Sequence, residues 1–271
     1  MGDARLAAPA QDWLHHRVPL MGPDAADVGD AVLREVVGPA VRRIQAETPG
    51  LRWFFLRFQD SAGLHLRLRL HAPLDALARA EEVLENDFHH SGRDHDVGFY
   101  SPETAKFGGD HGVEFAEEMF EASSALALAT VVAGAPRVTT AAAQLLDLVS
   151  GLPPATRPAF LHQYAWYWSG GPAGPVRRDR PPAAQVEALL QRVDNLRAEP
   201  DVAAALSRYS DVFEAATRSS RRRVVPRTEP FLRFHHLHLT NNRLGVFPGT
   251  EAAVARLLWR ATLDGLFEGT R

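Results

Sequence analysis

Residues Leu64–Leu70 read LHLRLRL, with apolar and polar side chains in strict alternation. Successive side chains of a strand point to opposite faces, so this segment predicts a half-buried β-strand with a leucine face and a His/Arg face. Arg52–Phe58 (RWFFLRF), just before it, is dense in strand-favouring aromatic residues, and Gln59–Gly63 (QDSAG) carries turn chemistry. Together they predict a β-hairpin.

The flanking pattern extends this hairpin into a sheet. Trp13–Leu20 reads as a first strand. Within Asp24–Thr48, Val28, Val32, Leu33, Val36, Val37, Val41 and Ile44 recur at helical spacing. Gly38-Pro39 inside that helix predicts a kink or a split, and Pro49-Gly50 a stop. Pro73–Asn86 reads as a second helix and Asp94–Tyr100 as a short fourth strand. The order is βαββαβ, the split or ferredoxin-like pattern, over residues 11–100.

Beyond Tyr100 the periodicity is helical, over Gly112–Ala133, Val138–Ser150, Ala155–Trp168, Ala183–Ala198, Val202–Ser219 and Thr250–Phe267. Ser169–Pro182, rich in Gly, Pro and Arg, reads as a mobile loop, and Ser219–Pro226 as a break. Pro230–Leu239 is apolar and fits helix or strand, and Thr240–Gly245 (TNNRLG) reads as a turn. No break between the β-rich and the helical part has linker composition, and no segment repeats. The expectation is therefore α+β: one compact domain over 1–271, its β-rich part at 11–100 and its mainly helical part at 101–271, with helices packed on one face of a small antiparallel sheet.

Composition removes several function classes. With no cysteine, disulfides, thiolate metal sites, iron–sulfur clusters and a Cys nucleophile are excluded. No apolar run reaches the ~20 residues of a membrane helix and the start lacks a signal pattern, so a cytoplasmic protein without a membrane partner is expected. A net charge of -3 gives no overall basic bias, and direct nucleic-acid binding is not expected. No nucleotide-binding, zinc-protease or nucleophile-elbow pattern stands in a fitting context.

Some charged residues are placed where chemistry could use them. Arg67 and Arg69 are two apart and share one face of their strand, with Arg57 on the strand before. Neighbouring guanidinium groups repel unless an anion or carboxylates offset them; an anion site and an ordinary exposed Arg face both fit. Glu103 and Lys106, three apart, can pair on one helical turn, as a functional pair or a surface pair of little energetic value. Lys106 is the only lysine. Gly108-Gly109 beside it permits a tight turn. His238 suits proton transfer at cellular pH, or is structural within the His235, His236, His238 cluster, which lacks carboxylates at metal-ligand spacing. The basic run Arg221-Arg222-Arg223, with Arg218 and Arg227, reads as a solvated loop or as a contact for an acidic peptide or for RNA held by a partner. Trp166-Tyr167-Trp168 reads as a peptide groove or as helix-end core. The pairs His15-His16 and His89-His90 support no functional claim.

Three stretches in order carry a resemblance: RWFFLRFQDSAGLHLRLRL (Arg52–Leu70), YSPETAKFGGDHGVEFAEEMFEASS (Tyr100–Ser124) and HLTNNRLG (His238–Gly245). They resemble the WFFIRY-DP-HLRLR hairpin, the Y-x-x-E-x-x-R-Y-G-G motif and the H-x-x-x-N-R-L-G motif of the small C-terminal, glutamate-elimination domain of class I lantibiotic dehydratases, in its stand-alone thiopeptide-type form. The resemblance spans about residues 11–265.

It implies a lyase that removes glutamate from glutamylated Ser/Thr of a ribosomal precursor peptide, giving dehydroalanine or dehydrobutyrine. The implied partners are that peptide, leader plus core, and a tRNA-dependent glutamylating enzyme. The chemistry needs a base near the Cα proton and fixed cations for the developing charge and the leaving glutamate. It needs neither metal nor redox cofactor. Carried over by motif position, Glu103, His238, Lys106 and Arg57 would be catalytic. Arg67, Arg69, Asn242, Arg243 and Tyr100 would bind substrate. Lys106 stands where the family has Arg, keeping the charge but losing the planar fork. Two alternatives remain: a pyridine-forming cyclase that joins two dehydroalanines with loss of the leader, and a non-catalytic precursor-binding partner.

Overall fold

The computed structural model describes residues 11–22, 24–170, 180–222 and 229–266. The chain is α+β and divides into two compact units, Met1–Pro102 and Glu103–Arg271.

The first unit is built on a four-stranded antiparallel sheet of order β2-β3-β1-β4. Its strands are β1 (Gln11–Pro19), β2 (Arg52–Asp60), β3 (Gly63–Pro73) and β4 (Asp96–Val97). Expected as a strand over Asp94–Tyr100, β4 is only two residues, pairing with His16 and Arg17. Gly98 adds one backbone bond to His15, and the chain then leaves the sheet with Phe99 wholly exposed. The hairpin turn is also tighter than expected, with Asp60 opposite Gly63. The Ala62 amide donates to Asp60 Oδ1 at 2.9 Å, an Asx turn, and Gly63 takes φ +97, the left-handed residue of such a loop.

One face of the sheet is covered by helices. The expected split falls at Pro39: α1 (Ala25–Val32) passes through a π-helical turn (Leu33–Val37) into α2 (Gly38–Glu47). Proline has no N–H for the carbonyl four residues back and its ring crowds it, which the wider turn relieves. Helix α3 (Leu74–His90) follows β3 and packs on β1 and β3. Leu66, Leu68, Leu70, Phe55, Val36, Leu84 and Phe88 are buried in this layer.

The second unit is helical: α4 (Thr104–Phe107), α5 (Asp110–Val132), α6 (Arg137–Ser150), α7 (Arg157–Trp168), α8 (Ala183–Leu196), α9 (Pro200–Arg222), α10 (Glu229–Leu244) and α11 (Pro248–Leu263). The chief pairings are α7 with α11 and α5 with α9, around a core that includes Leu126, Leu161, Tyr164, Phe213 and Leu258. Pro230–Leu239 is helix, and the turn expected at Thr240–Gly245 is instead the last turn of α10. The reason is inward bonding: Thr240 Oγ1 reaches the His236 carbonyl at 2.7 Å and Tyr209 Oη at 2.9 Å. Only Gly245, at φ +72, closes the helix.

Among the described residues, no helix is long and apolar enough to cross a membrane. Residues 171–179 of the expected Ser169–Pro182 loop, and Arg223 and Arg227 of the basic run, lie outside the described residues.

Candidate functional site

In the first unit, the register decides which arginines meet. Arg67 stands opposite Arg17 and Leu56, and Arg69 opposite His15 and Phe54. Directly opposed residues share a face, so Arg17, Arg67, Arg69, His15 and His65 line the face away from α1–α3. Arg57 stands opposite Leu66, which pairs in turn with Val18, and points the other way. It is buried, pairs with Asp30 at 2.5 Å and donates to the Ala26 carbonyl at 2.9 Å. Gly29 makes room for it: a Cβ there would lie 2.3 Å from Arg57 Nη1. The sheet therefore brings Arg67 and Arg69 together with Arg17, and ties Arg57 to α1.

The arginine face is walled by aromatic rings. The Arg69 guanidinium lies 4.5 Å from the Tyr100 ring and 5.3 Å from Phe54; Arg67 lies 3.4 Å from Phe58. Tyr100 also packs edge-on against Trp13. Asp60 Oδ2 accepts from Arg17 at 3.1 Å and Arg67 at 3.4 Å. The Ala62 amide, with the neighbouring His65, Arg17 and Arg67, holds its carboxyl below the usual range despite some desolvation. His15 is buried, and burial, with the charges of Arg69, Arg67 and Arg17, pushes it down to about 4 against the bond from its Nδ1 to the Phe99 carbonyl (3.0 Å). It is therefore neutral near pH 7, with Nδ1 as the donor and Nε2 buried without a hydrogen-bond partner among the described residues. His65 is lowered as well, first by burial. Arg17 and Arg67 thus share one carboxylate with Arg69 beside them, an arrangement that suits an added anion.

In the second unit, Glu103 precedes α4 and accepts from Lys106 Nζ at 3.1 Å; its side chain is 64% exposed, so the pair is open to solvent. Gly108 and Gly109 take φ +87 and +96, turning the chain sharply into α5.

His238 lies on the half-exposed stripe of α10 with His235 and, one turn on, Asn242. Its ring stacks on Trp168 at 3.5 Å and 9°. Its Nδ1 lies 3.0 Å from Glu251 Oε2, and the Glu251 side chain is fully buried. The other Glu251 oxygen accepts from the buried Tyr164 hydroxyl. Burial, followed by the Glu251 charge and hydrogen bond, raises Tyr164 well above the ordinary phenol value, so it stays protonated as donor. A carboxylate that accepts a hydrogen bond from Nδ1–H leaves Nε2 as a basic lone pair.

The remaining motif residues lie elsewhere. Arg243 is wholly buried, with Nε 3.2 Å from Ser124 Oγ and Nη1 donating to the Leu239 carbonyl, and it anchors α10 from inside. His236 is buried among Phe107, Phe115 and Phe120; burial, then Arg243, His235 and Lys106, push it down to about 3. The Trp166–Trp168 run divides: Trp168 backs His238, whereas Trp166 and Tyr167 are largely exposed. Sequence reasoning missed Arg17, Asp60 and Glu251. Among the described residues no group of three or more His, Asp or Glu could hold a metal.

Comparisons with known proteins identify the family and the fold. The family model described as lantibiotic biosynthesis dehydratase C-term matches residues 13–262. Among solved structures, the chain is similar to the tRNA-dependent lantibiotic dehydratase MibB from Microbispora sp. 107891, at 25% identity and a TM-score of 0.70. That match covers 100% of this chain and 29% of MibB, so the chain spans under a third of that protein's length. It is also similar in fold to TsrL, at 17% identity and a TM-score of 0.61, over 95% of each chain. No curated protein matches. With a family match over nearly its whole length, the chain belongs to the lantibiotic biosynthesis dehydratase C-terminal family.

Proposed function

We propose that this protein is a lyase that eliminates glutamate from glutamylated Ser or Thr of a ribosomal precursor peptide. Family membership supports a biosynthetic role in making lantibiotic-type peptides. The observation that carries the finer reading is the His238–Glu251 pair, a half-exposed imidazole oriented by a fully buried carboxylate.

In the reaction, His238 Nε2 takes the Cα proton and the electron pair forms the Cα=Cβ double bond. The Cβ–O bond breaks, and its own electron pair leaves with glutamate, which departs as a free carboxylate. A positioned base of this kind contributes roughly 10²–10⁴-fold. Within the first unit, Arg17, Arg67 and Arg69, with Tyr100 against Arg69, offer an anion site of the kind that binds a glutamate carboxylate; charge-assisted bonds to fixed guanidinium groups suit a carboxylate. Lys106 positions Glu103 or meets the leaving group, Asn242 contacts the peptide beside His238, Arg57 ties α1 to the sheet of the first unit, and Arg243 anchors α10 in the second.

The test is to incubate the protein alone with a glutamylated precursor peptide. Release of free glutamate, with the peptide at its dehydrated mass, is the expected result. No change on that peptide, but leader loss and ring formation from a fully dehydrated precursor, assigns the cyclase instead. Tight peptide binding without either reaction assigns a binding partner.

A further inference from the structure

Glu251 belongs to a chain of buried polar groups whose donors all run one way. It starts at Gln144, fully buried in α6, whose Nε2 lies 3.4 Å from the Leu237 carbonyl and 2.8 Å from Asn241 Oδ1. A backbone carbonyl only accepts, so Gln144 presents its NH₂ to it, and the same NH₂ donates to the Asn241 oxygen. Asn241 must then turn its own NH₂ onward, and its Nδ2 lies 3.4 Å from Tyr164 Oη. With that oxygen accepting, the Tyr164 hydroxyl proton goes to Glu251 Oε1. Oε2 remains to accept from His238 Nδ1 at 3.0 Å.

We propose that Gln144, Asn241, Tyr164 and Glu251 are positioning residues forming a one-way relay that fixes the proton of His238 on Nδ1 and keeps Nε2 free. Gln144, Tyr164 and Glu251 lie outside the three motifs quoted above, and Asn241 precedes the motif Asn242. Burial sets how firmly the relay is held: an unmade bond at any of these sites leaves a polar group in the interior with no water to replace it. The stack on Trp168 holds the ring plane, so its rotation is restricted and Nε2 keeps one direction. The catalytic meaning of a free Nε2 rests on the elimination reading, whereas the tautomer itself does not.

Glu251→Gln separates this relay from a merely structural carboxylate. Tyr164 still needs an acceptor, so in this variant the new amide turns its oxygen to Tyr164 and its NH₂ to His238. Nδ1 must then accept, and the proton moves to Nε2. Imidazole ¹⁵N NMR of the full chain reads this directly, with the His238 signal identified by its loss in His238→Ala. The wild type is expected to show the Nδ1–H tautomer and Glu251→Gln the Nε2–H tautomer. Glutamate release by that variant should fall about 100-fold or more. Adding Tyr164→Phe frees the introduced amide to turn and should restore part of both signals. A wild type in the Nε2–H form, or a folded Glu251→Gln that keeps the wild-type tautomer, overturns the relay. If Glu251→Gln does not fold, the wild-type tautomer decides. If the wild type releases no glutamate, the elimination reading fails while the NMR result still judges the relay.

Discussion

His16 makes the first unit sensitive to acid in a calculable way. It stands in register with Leu68 and, beyond it, Phe55, beside the rings of Phe88 and His95. It is wholly buried, and neither ring nitrogen has a hydrogen-bond partner among the described residues. Burial, then the nearby His95 and His15, push it from 6.5 down to about 4. The unfolded chain therefore binds a proton that the folded chain refuses. Stability is retained above about pH 6.5 and lost as pH falls through the window toward about 4. Moving from about pH 7.5 to about pH 5 should remove about 2 kcal/mol through His16 alone, at 1.36 kcal/mol per unit of linkage. Leucine at this position cannot titrate. Urea unfolding of wild type and His16→Leu at both pH values should show the variant gaining about 2 kcal/mol on the wild type at the lower pH. The variant should also be no less stable near neutrality, where it removes two unpartnered nitrogens. A difference between the two proteins that does not change with pH would refute the argument.

Other substitutions probe other links. Arg57→Met takes from Asp30 its guanidinium partner and should cost about 3 kcal/mol in urea unfolding, with Arg57→Met/Asp30→Leu recovering much of it; an unchanged single variant would deny Arg57 its structural role. In Gly112→Ala the new Cβ falls 1.7 Å from the Phe107 carbonyl oxygen, so the turn behind Glu103 and Lys106 must shift. A loss of about 3 kcal/mol is expected, and an unaltered melting temperature would contradict the close approach. Arg17→Met and Arg69→Met should each weaken the binding of free glutamate about tenfold while barely moving the melt; binding as tight as in the wild type would remove these arginines from the anion site.

The hairpin and the helices are readable from the sequence because periodicity is set by burial, but the register is hidden. A five-residue turn at Gln59–Gly63 would pair Phe58 with Leu64 and put Arg57 on the face of Arg67 and Arg69. The actual turn pairs Asp60 with Gly63, a slip of one residue that sends Arg57 to the opposite face. The Asp60 Asx turn that sets the register is itself part of the arginine face, a dual use that spacing cannot show.

TNNRL reads as a turn because Asn favours turns, yet it is helical here since Thr240 and Asn241 bond within the core. By position alone, Glu251 is an ordinary acid in the first turn of a helix. A signal is nonetheless present: it falls on the buried stripe of Val254, Ala255 and Leu258, at spacings of three, four and seven, where a lone carboxylate needs a partner. That the partner is His238 comes only from the way α10 and α11 meet.

The central claim is that glutamate leaves by elimination, with the Cα proton taken by this chain. The most direct test uses a glutamylated peptide deuterated at Cα of the modified serine, with mass spectrometry of the peptide after glutamate release. The account predicts a dehydrated peptide that has lost the deuterium, formed more slowly than from the protiated peptide, with both products absent in His238→Ala. A peptide returned to its serine mass with the deuterium retained would mean ester hydrolysis and would contradict it.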